Sequence, residues 1–373
     1  MGELLNSSSQ QNLGSSRLVK LVLNLCGLII LGIFFYYGFR MMQKNASVVD
    51  VNIKVLLGLF SMVWGVGGII ALIYLLNNIL ELFTGRIKDH ILAYIFVGPA
   101  IAMMFYYLTL PTFRSFWLSL FDRDGEIFVG IQNYITAFTS EIIQIALRNN
   151  LFWILFGATL SVVFGLVIAV LADRSDFEKL AKSLIFMPRA ISFVGAGVIW
   201  KYIYEFRDAS VPQIGLLNAI VVAFGGEPQA WLTLIQPWNN LFLIFVVVWM
   251  QTGFAMVLFS SAIKGIPSEL MEAARIDGAN EFQVFFKIML PSIVGTIIMV
   301  STTIVIFTLK IFDVVFVMTG GQFKTQVIAT QFYRELFINR NSGLGSAIAI
   351  ILLIAIVPVI IYNLVKFSRS ETF

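Results

Sequence analysis

Residues 272–291 read EAARIDGANEFQVFFKIMLP, and a long apolar run lies on each side of them. Glu272, Arg275 and Lys287 carry charged side chains, which are costly to place in lipid. We therefore expect a helical hairpin that protrudes into water while membrane helices hold both of its ends. Such a part is suited to transmitting force to another protein.

Local signals divide this hairpin into two short helices. Pro267 suits the first turn of the first helix, and Ser268 is expected to cap it. Gly278 is expected to end that helix, because glycine tolerates the left-handed conformation found at helix ends. Asn280 is expected to cap the second helix. The alternative is an amphipathic hairpin that lies on the lipid headgroups.

The composition is that of an all-α integral membrane protein. Of the 373 residues, 59% are hydrophobic and 12% are charged, and the mean hydropathy is +0.89. Soluble domains carry about 25% charged residues. The net charge is +4, but the basic residues are scattered rather than clustered, so we expect no nucleic-acid partner.

The scarcity of reactive side chains argues against enzyme chemistry. Cys26 is the only cysteine and His90 the only histidine. A zinc site needs several converging ligands, and a histidine-based triad needs a nucleophile motif that His90 lacks. The sequence also has no phosphate-binding Gly-x-x-x-x-Gly-Lys-[Ser/Thr] motif. We expect no catalytic residues, no metal and no cofactor in this chain.

The apolar runs predict about eight membrane spans, since a span needs about 20 apolar residues. They are 18–42, 55–83, 91–116, 148–172, 182–206, 239–263, 292–319 and 343–367. Residues 1–17 are rich in serine, glutamine and asparagine, which predicts a disordered tail. In the seventh span Lys310 and Asp313 lie three residues apart, and we expect a pair near the membrane interface.

An even number of spans places both termini on the same side of the membrane as the hairpin. The charges of the loops support no orientation strongly, because lysine and arginine divide almost evenly between the two sides. If the hairpin is cytoplasmic, the loops 117–147, 207–238 and 320–342 lie outside. The tryptophans of the loop 207–238 fit an interfacial belt or the docking of an extracytoplasmic partner.

The hairpin resembles, position for position, the EAA loop of membrane subunits of binding-protein-dependent ABC importers. The match consists of Glu-Ala-Ala at 272–274, Gly278 and Ile-x-Leu-Pro at 288–291. Further stretches resemble the sugar-importing branch: AKSLIFMP at 181–188, FDVVFVMTGG at 312–321 and GSAIA at 345–349. Residues 191–204, 213–220 and 225–229 look similar to the α-glucoside permeases.

This resemblance covers residues 91–367 and is to the branch that contains the larger maltose permease subunit, which also has two extra amino-terminal helices. It implies a type I ABC importer permease fold with this organisation: a cytoplasmic tail (1–17), two accessory helices (18–90), a six-helix core (91–367, with a permease domain of about 145–365) and a second tail (368–373). The large extracytoplasmic insert of the maltose protein is missing here.

The resemblance also implies the partners. They are a second permease subunit, two copies of a cytoplasmic ATPase that binds ATP and magnesium, an extracytoplasmic sugar-binding protein and a sugar. The chain would lie in the cytoplasmic membrane with both termini inside. The expected ATPase-coupling residues are Glu272, Ala273, Ala274, Gly278, Ile288, Leu290 and Pro291, and Glu272 would meet a basic residue of the ATPase.

Residues that match sugar-lining positions of the family define a candidate substrate path. They are Met250, Gln251, Phe254, Phe307 and Thr308, and we add Phe193 to the candidate path. An aromatic face stacks on the C–H face of a sugar, while amide and hydroxyl groups bond its hydroxyls. Gln251 is the strongest of them, because a lone amide in hydrocarbon needs a partner. For each phenylalanine, ordinary helix packing is the alternative.

Other classes of membrane protein stay open from the sequence. An ion-coupled secondary transporter would use carboxylates or broken helices at the midplane. An ABC permease for a non-sugar solute would keep the hairpin and change the path. A third alternative is a structural membrane anchor for a cytoplasmic partner, without transport.

Overall fold

A computed structural model describes residues 2–45, 51–80, 94 and 97–370. Within these ranges the chain is helical, and its β structure is a single bridge between Phe121 and Phe128. The chain forms two compact units, Met1–Thr112 and Phe113–Phe373. The predicted domain boundary at 90/91 and the last three residues lie outside the described ranges.

The first unit contains two long helices, α1 (Gly2–Asn45) and α2 (Val51–Leu80). A β-carbon at Gly38 would lie 2.3 Å from the indole nitrogen of Trp64, so glycine allows the two helices to approach closely. Helix α1 continues over residues 2–17, where the sequence predicts a disordered tail. No proline interrupts this segment, and extending an existing helix needs no new nucleus.

Residues 97–104 are also helical. The helices that follow along the chain belong to the second unit, the bundle, except that the first of them begins three residues before it. In chain order they are α3 (Leu110–Leu118), α4 (Gln132–Thr139), α5 (Glu141–Trp153), α6 (Thr159–Asp173), α7 (Glu178–Phe186), α8 (Phe193–Ile203), α9 (Leu216–Ala223), α10 (Trp238–Lys264), α11 (Ser268–Ile276), α12 (Glu281–Val284), α13 (Leu290–Ser292), α14 (Val294–Leu309), α15 (Asp313–Thr319), α16 (Ile328–Tyr333) and α17 (Ser342–Ser370). Short π-helical turns join α5 to α6 (Ile154–Ala158) and α12 to α13 (Phe285–Met289).

Five helical stretches of the described chain are long and apolar enough to cross a membrane. They are Val19–Asn45, Asn52–Leu80, Glu141–Asp173, Trp238–Lys264 and Ser342–Val365. Two bent helix pairs raise the number to seven if each pair is one span. The predicted span 91–116 lies partly outside the described residues, so the count of about eight stays a prediction.

The predicted span 182–206 is not one straight helix in the structure. Helices α7 and α8 meet at an angle of 101°. Ile191 has an extended backbone (ψ 142°), and the hydroxyl of Ser192 accepts a hydrogen bond of 3.0 Å from the amide of Gly195. Ser192 therefore starts a new helix by capping it.

The predicted span 292–319 is also interrupted in the structure. Helix α14 ends at Leu309, and α15 begins at Asp313. The amide of Asn150 donates a 3.0 Å hydrogen bond to the Leu309 carbonyl, which a continuing helix would use. Lys310 thus follows the end of α14 while Asp313 begins α15, and no ion pair joins them in the described structure.

Helix α10 is the centre of the second unit. Within its candidate span 61% of the residues are buried, against 39% or less in the other straight spans. A β-carbon at Gly165 of α6 would lie 2.4 Å from the β-carbon of Ala255, so glycine lets α6 pack directly on α10. The central position of α10 matters because it carries Gln251.

Candidate functional site: a buried amide above a helical hairpin

The hairpin between α10 and α14 forms as two short helices, α11 and α12, of which the second continues to Ser292. Gly278 has a φ of +83°, which confirms its role as the helix stop. Asn280 accepts a 2.9 Å bond from the amide of Gln283, whose side chain bonds back to the Asn280 amide. This capping box confirms Asn280 as the cap.

The prediction that Ser268 caps α11 is wrong. Pro267 occupies the cap position, and Ser268 is already the first helical residue, without a side-chain capping bond. The cause is the backbone of Pro267: with a φ of −54° and a ψ of 130° it is the last non-helical residue before the helix.

One face of the hairpin is exposed. Glu272 and Ala273 are exposed, and Glu272 makes no hydrogen bond or ion pair with any residue that the structure describes. Ile276 is 86% exposed and Leu270 is 53% exposed. Of the other predicted coupling residues, Gly278 and Pro291 are exposed, whereas Ala274, Ile288 and Leu290 are half-buried. A free carboxylate beside exposed aliphatic groups is suited to contact with a partner protein.

Ion pairs attach the hairpin to the bundle. The guanidinium of Arg174, at the end of α6, donates a 2.6 Å bond to the carboxylate of Glu281 on α12. Arg275 on α11 donates a 2.9 Å bond to the same carboxylate. These side chains are about half exposed, so each pair contributes at most about 1 kcal/mol to stability. Their main effect is geometric: Glu281 joins both arms of the hairpin to α6.

A second charge cluster continues from α6 to α7. The ammonium of Lys182 on α7 pairs with the carboxylate of Asp173 at the end of α6. The hydroxyl of Ser260 on α10 donates a 2.7 Å bond to Asp173, and Glu178 pairs with Lys264. The end of α6, the start of α7 and the end of α10 are thereby held together by charge.

Gln251 lies at the middle of α10, and its side chain is only 3% exposed. Its amide oxygen accepts a 2.8 Å hydrogen bond from the guanidinium of Arg189. The same guanidinium lies 5.1 Å from the centre of the Phe254 ring, which is a cation–π distance. The expectation that this buried amide needs a partner is therefore met by Arg189. Gln251 and Phe254 form one group around that cation.

Gly253 allows Arg189 to reach Gln251. A β-carbon at Gly253 would lie 2.5 Å from the carbonyl oxygen of Ile185 and 2.9 Å from the α-carbon of Phe186. Only glycine fits between the backbones of α10 and α7 at this point. Arg189 follows one turn later, at the bend between α7 and α8, and so lies beside α10.

An aromatic pair forms the other part of the predicted path. The rings of Phe193 and Phe307 are stacked, with centres 4.5 Å apart. Both rings are half-buried and pack against the core cluster that includes Met250. Met250 and Thr308 are buried, and the Thr308 hydroxyl donates to the Ile304 carbonyl of its own helix. These two residues therefore present no free polar group to a path in this conformation.

Arg189 is the residue of this group that the sequence reasoning missed. It follows Pro188 directly, inside a span that is otherwise apolar apart from its ends. An arginine within a membrane segment is by itself a signal of function. The motif quoted from this region, 181–188, ends one residue before it.

This architecture is that of a known family. The family model of the binding-protein-dependent transport system inner membrane component matches residues 161–370. The chain belongs to this family. It is the permease subunit of an ABC importer.

Curated relatives agree with this assignment. The permease is 51% identical over 276 residues to an osmoprotective compounds uptake permease of Synechocystis, covering 74% of this chain and 99% of the relative. It is 50% identical over 287 residues to the α-glucoside transport permease AglF of Rhizobium meliloti, covering 77% of this chain and 85% of that one.

A solved structure shares the fold. A chain of the bacterial ABC transporter involved in the import of alginate matches with a TM-score of 0.66 and 22% identity. The match covers 77% of this chain and 98% of that chain. At this level of identity the likeness establishes the fold of the permease and not its substrate.

Proposed function

We propose that the permease imports a neutral sugar, an α-glucoside or an oligosaccharide, across the cytoplasmic membrane. The observation that carries this proposal is the buried amide of Gln251 held by Arg189, with the stacked rings of Phe193 and Phe307 in the same region. Amide and guanidinium groups bond sugar hydroxyls, and aromatic faces cover the C–H faces. The relative AglF, named for α-glucoside transport, supports this choice of substrate.

The permease would act with a second permease subunit, two copies of an ATPase and an extracytoplasmic sugar-binding protein. ATP and magnesium would bind to the ATPase. The hairpin would face the cytoplasm, and both termini would lie on that side. A crystal structure of the alginate transporter contains a periplasmic protein bound to an alginate pentasaccharide, which supports an extracytoplasmic binding protein as a partner.

The coupling route follows the ion pairs. An ATPase that grips Glu272 and Ala273 would move α11 and α12 together, because Arg275 ties them through Glu281. The pair between Glu281 and Arg174 would pass that motion to the end of α6.

From α6, the pair between Asp173 and Lys182 leads to α7, and the turn that follows α7 carries Arg189. Closure of the ATPases would thus reposition the cation that holds Gln251. This route connects the hairpin to the substrate path without requiring the long helices to bend.

Uptake by the complete importer in proteoliposomes tests the proposed function. ATP is supplied on the hairpin side, and uptake of methyl α-glucoside and maltose is measured in the presence of the binding protein. Uptake that requires hydrolysable ATP is expected. Uptake that persists without ATP, or a preference for a non-sugar osmoprotectant such as glycine betaine over both sugars, would contradict the proposal.

Glu272 provides the test of coupling. The Glu272→Ala permease should lose most of its uptake while remaining in the membrane, because the permease no longer carries the charge that the ATPase binds. Glu269→Ala is the matched control, since Glu269 is an exposed carboxylate on the same helix. Equal uptake by the two variants would remove Glu272 from the mechanism.

A further inference from the structure

A polar pocket lies at the end of the bundle opposite to the hairpin. Its volume is about 280 Å³, and it is lined by Arg148, Asn149, Phe152, Gln236, Pro237 and Asn240. It opens at the start of α10, whereas the hairpin follows the end of the same helix, about 40 Å away. The volume is near the lower end of the range for small-molecule sites, roughly 300–1,000 Å³.

A network of amides makes one wall of the pocket rigid. Gln236 donates bonds of 2.7 Å to the side chain of Asn149 and 2.8 Å to the carbonyl of Lys324. Asn149 in turn donates to the carbonyls of Lys324 and Gln326, at 2.8 and 2.7 Å. Lys324 has a φ of +58°, a left-handed conformation that is costly for a residue with a β-carbon. The amides therefore hold the loop in a shape that it would not keep alone.

Polar groups remain available inside this rigid frame. Arg148 is exposed and uses one amino group to bond Gln236, which leaves other donors of its guanidinium free among the described contacts. Asn240 is 1% exposed, yet its side chain makes only long bonds of 3.3 Å, from Trp153 and to Asn239. A buried amide with such weak partners is ready to exchange them for a ligand.

An aromatic ring completes the pocket on its apolar side. Phe152 is half-buried, and its ring lies 4.5 Å from that of Phe156, one helical turn along α5. The next residue, Gly157, approaches Thr308, since a β-carbon there would lie 3.8 Å from the methyl of Thr308. Both rings pack on the same core cluster as Phe193 and Phe307. The aromatic surface of the pocket thus continues toward the candidate path.

We propose that this pocket is a second, outer saccharide subsite at which the sugar binds before it reaches Gln251. The proposal rests on the proposed function. The ring of Phe152 would cover the C–H face of a pyranose, while Arg148 and Asn240 would bond its hydroxyls. The proposed function supplies a neutral sugar as the ligand, and Arg148 would bond its hydroxyls with the donors that Gln236 does not use.

Direct binding to the solubilised importer tests the subsite without the binding protein and without transport. The probe is methyl α-glucoside, observed by saturation-transfer NMR. Phe152→Leu and Arg148→Met should each raise the Kd obtained from titration of the signal about fivefold, the effect of losing one contact worth about 1 kcal/mol. Phe152→Tyr should retain the Kd of the unmodified protein, because the aromatic face is kept.

Two further variants serve as comparisons. Arg207→Met removes an exposed arginine whose side chain lies outside the pocket, and it should leave the signal unchanged. Gln251→Leu should leave the signal that comes from the outer pocket. If Phe152→Leu and Arg148→Met bind the probe as well as the unmodified protein does, the subsite is refuted, while ATP-driven sugar uptake would still stand.

A role in docking of the binding protein gives a different result. In that case Arg148→Met would lower the ATPase stimulation by the binding protein and leave the NMR signal intact, which would overturn the proposal. A signal that is present in the unmodified protein and weakened in Phe152→Leu supports the subsite even if uptake of the sugar fails.

Discussion

Replacement of Gln251 by leucine is the sharpest test of the substrate path. The substitution keeps the approximate volume of the side chain and removes the oxygen that accepts the 2.8 Å bond from Arg189. Hydrogen bonds to charged groups contribute about 1.5–3 kcal/mol. Since 1.4 kcal/mol corresponds to a factor of ten, the expected loss is roughly 10- to 150-fold.

This loss should appear in transport rather than in assembly. The substitution removes the amide that would bond the sugar. It also removes the acceptor that fixes the guanidinium of Arg189 beside α10. We expect kcat/KM of sugar uptake to fall by this factor. The ATPase activity stimulated by the binding protein should persist, because the hairpin and its ion pairs lie about 20 Å away along α10.

The assay compares sugar uptake and stimulated ATPase activity in the same proteoliposomes. Gln251→Glu is the matched variant: it keeps an acceptor for Arg189 and should recover uptake relative to leucine. Unchanged uptake kinetics in Gln251→Leu would refute the reasoning. An equal fall of the stimulated ATPase activity would assign Gln251 to coupling or folding instead of the path.

Two other variants test helix packing at Gly253 and the turn that begins at Asp122. Gly253→Ala should lower the thermal midpoint of the solubilised protein and reduce uptake, since overpacking against Ile185 costs about 1–3 kcal/mol. Gly295→Ala is the control, because a β-carbon there meets no atom within 4 Å, and its midpoint should be unchanged or higher. Equal midpoints of the two variants would contradict the packing argument. The amides of Glu126 and Ile127 hold the pKa of Asp122 below its ordinary value of 3.8. These bonds therefore stabilise the turn at residues 122–127 at pH values above 3.8, and the stabilisation is lost as the pH falls through the lowered pKa of the folded protein. Amide exchange of the turn should be faster, relative to its intrinsic rate, at pH 3 than at pH 6. The variant Asp122→Asn should abolish this difference.

Short-range features could be predicted because their causes are local. The end of α11 at Gly278 and the capping box at Asn280 depend on residues within a few positions of one another. The cap at Ser268 failed for an equally local reason, because Pro267 took the cap position. The membrane character of the chain followed from its composition alone.

The bends escaped prediction because their causes lie elsewhere in the chain. Apolar content is the same in a straight and in a broken span, so 292–319 read as one helix. The break is stabilised by Asn150, which bonds the Leu309 carbonyl from another helix, 159 residues away in sequence.

The sequence by itself determined that this is a membrane protein and that a buried Gln251 must have a partner, and it predicted a hairpin that protrudes into water. Only the tertiary structure decided that the partner is Arg189, 62 residues earlier in the chain. The physical reason is that burial of an amide creates a demand that any nearby donor can satisfy. Which donor comes near depends on the bend at Ser192 and on the close approach of α7 to Gly253, and both are properties of the packed bundle.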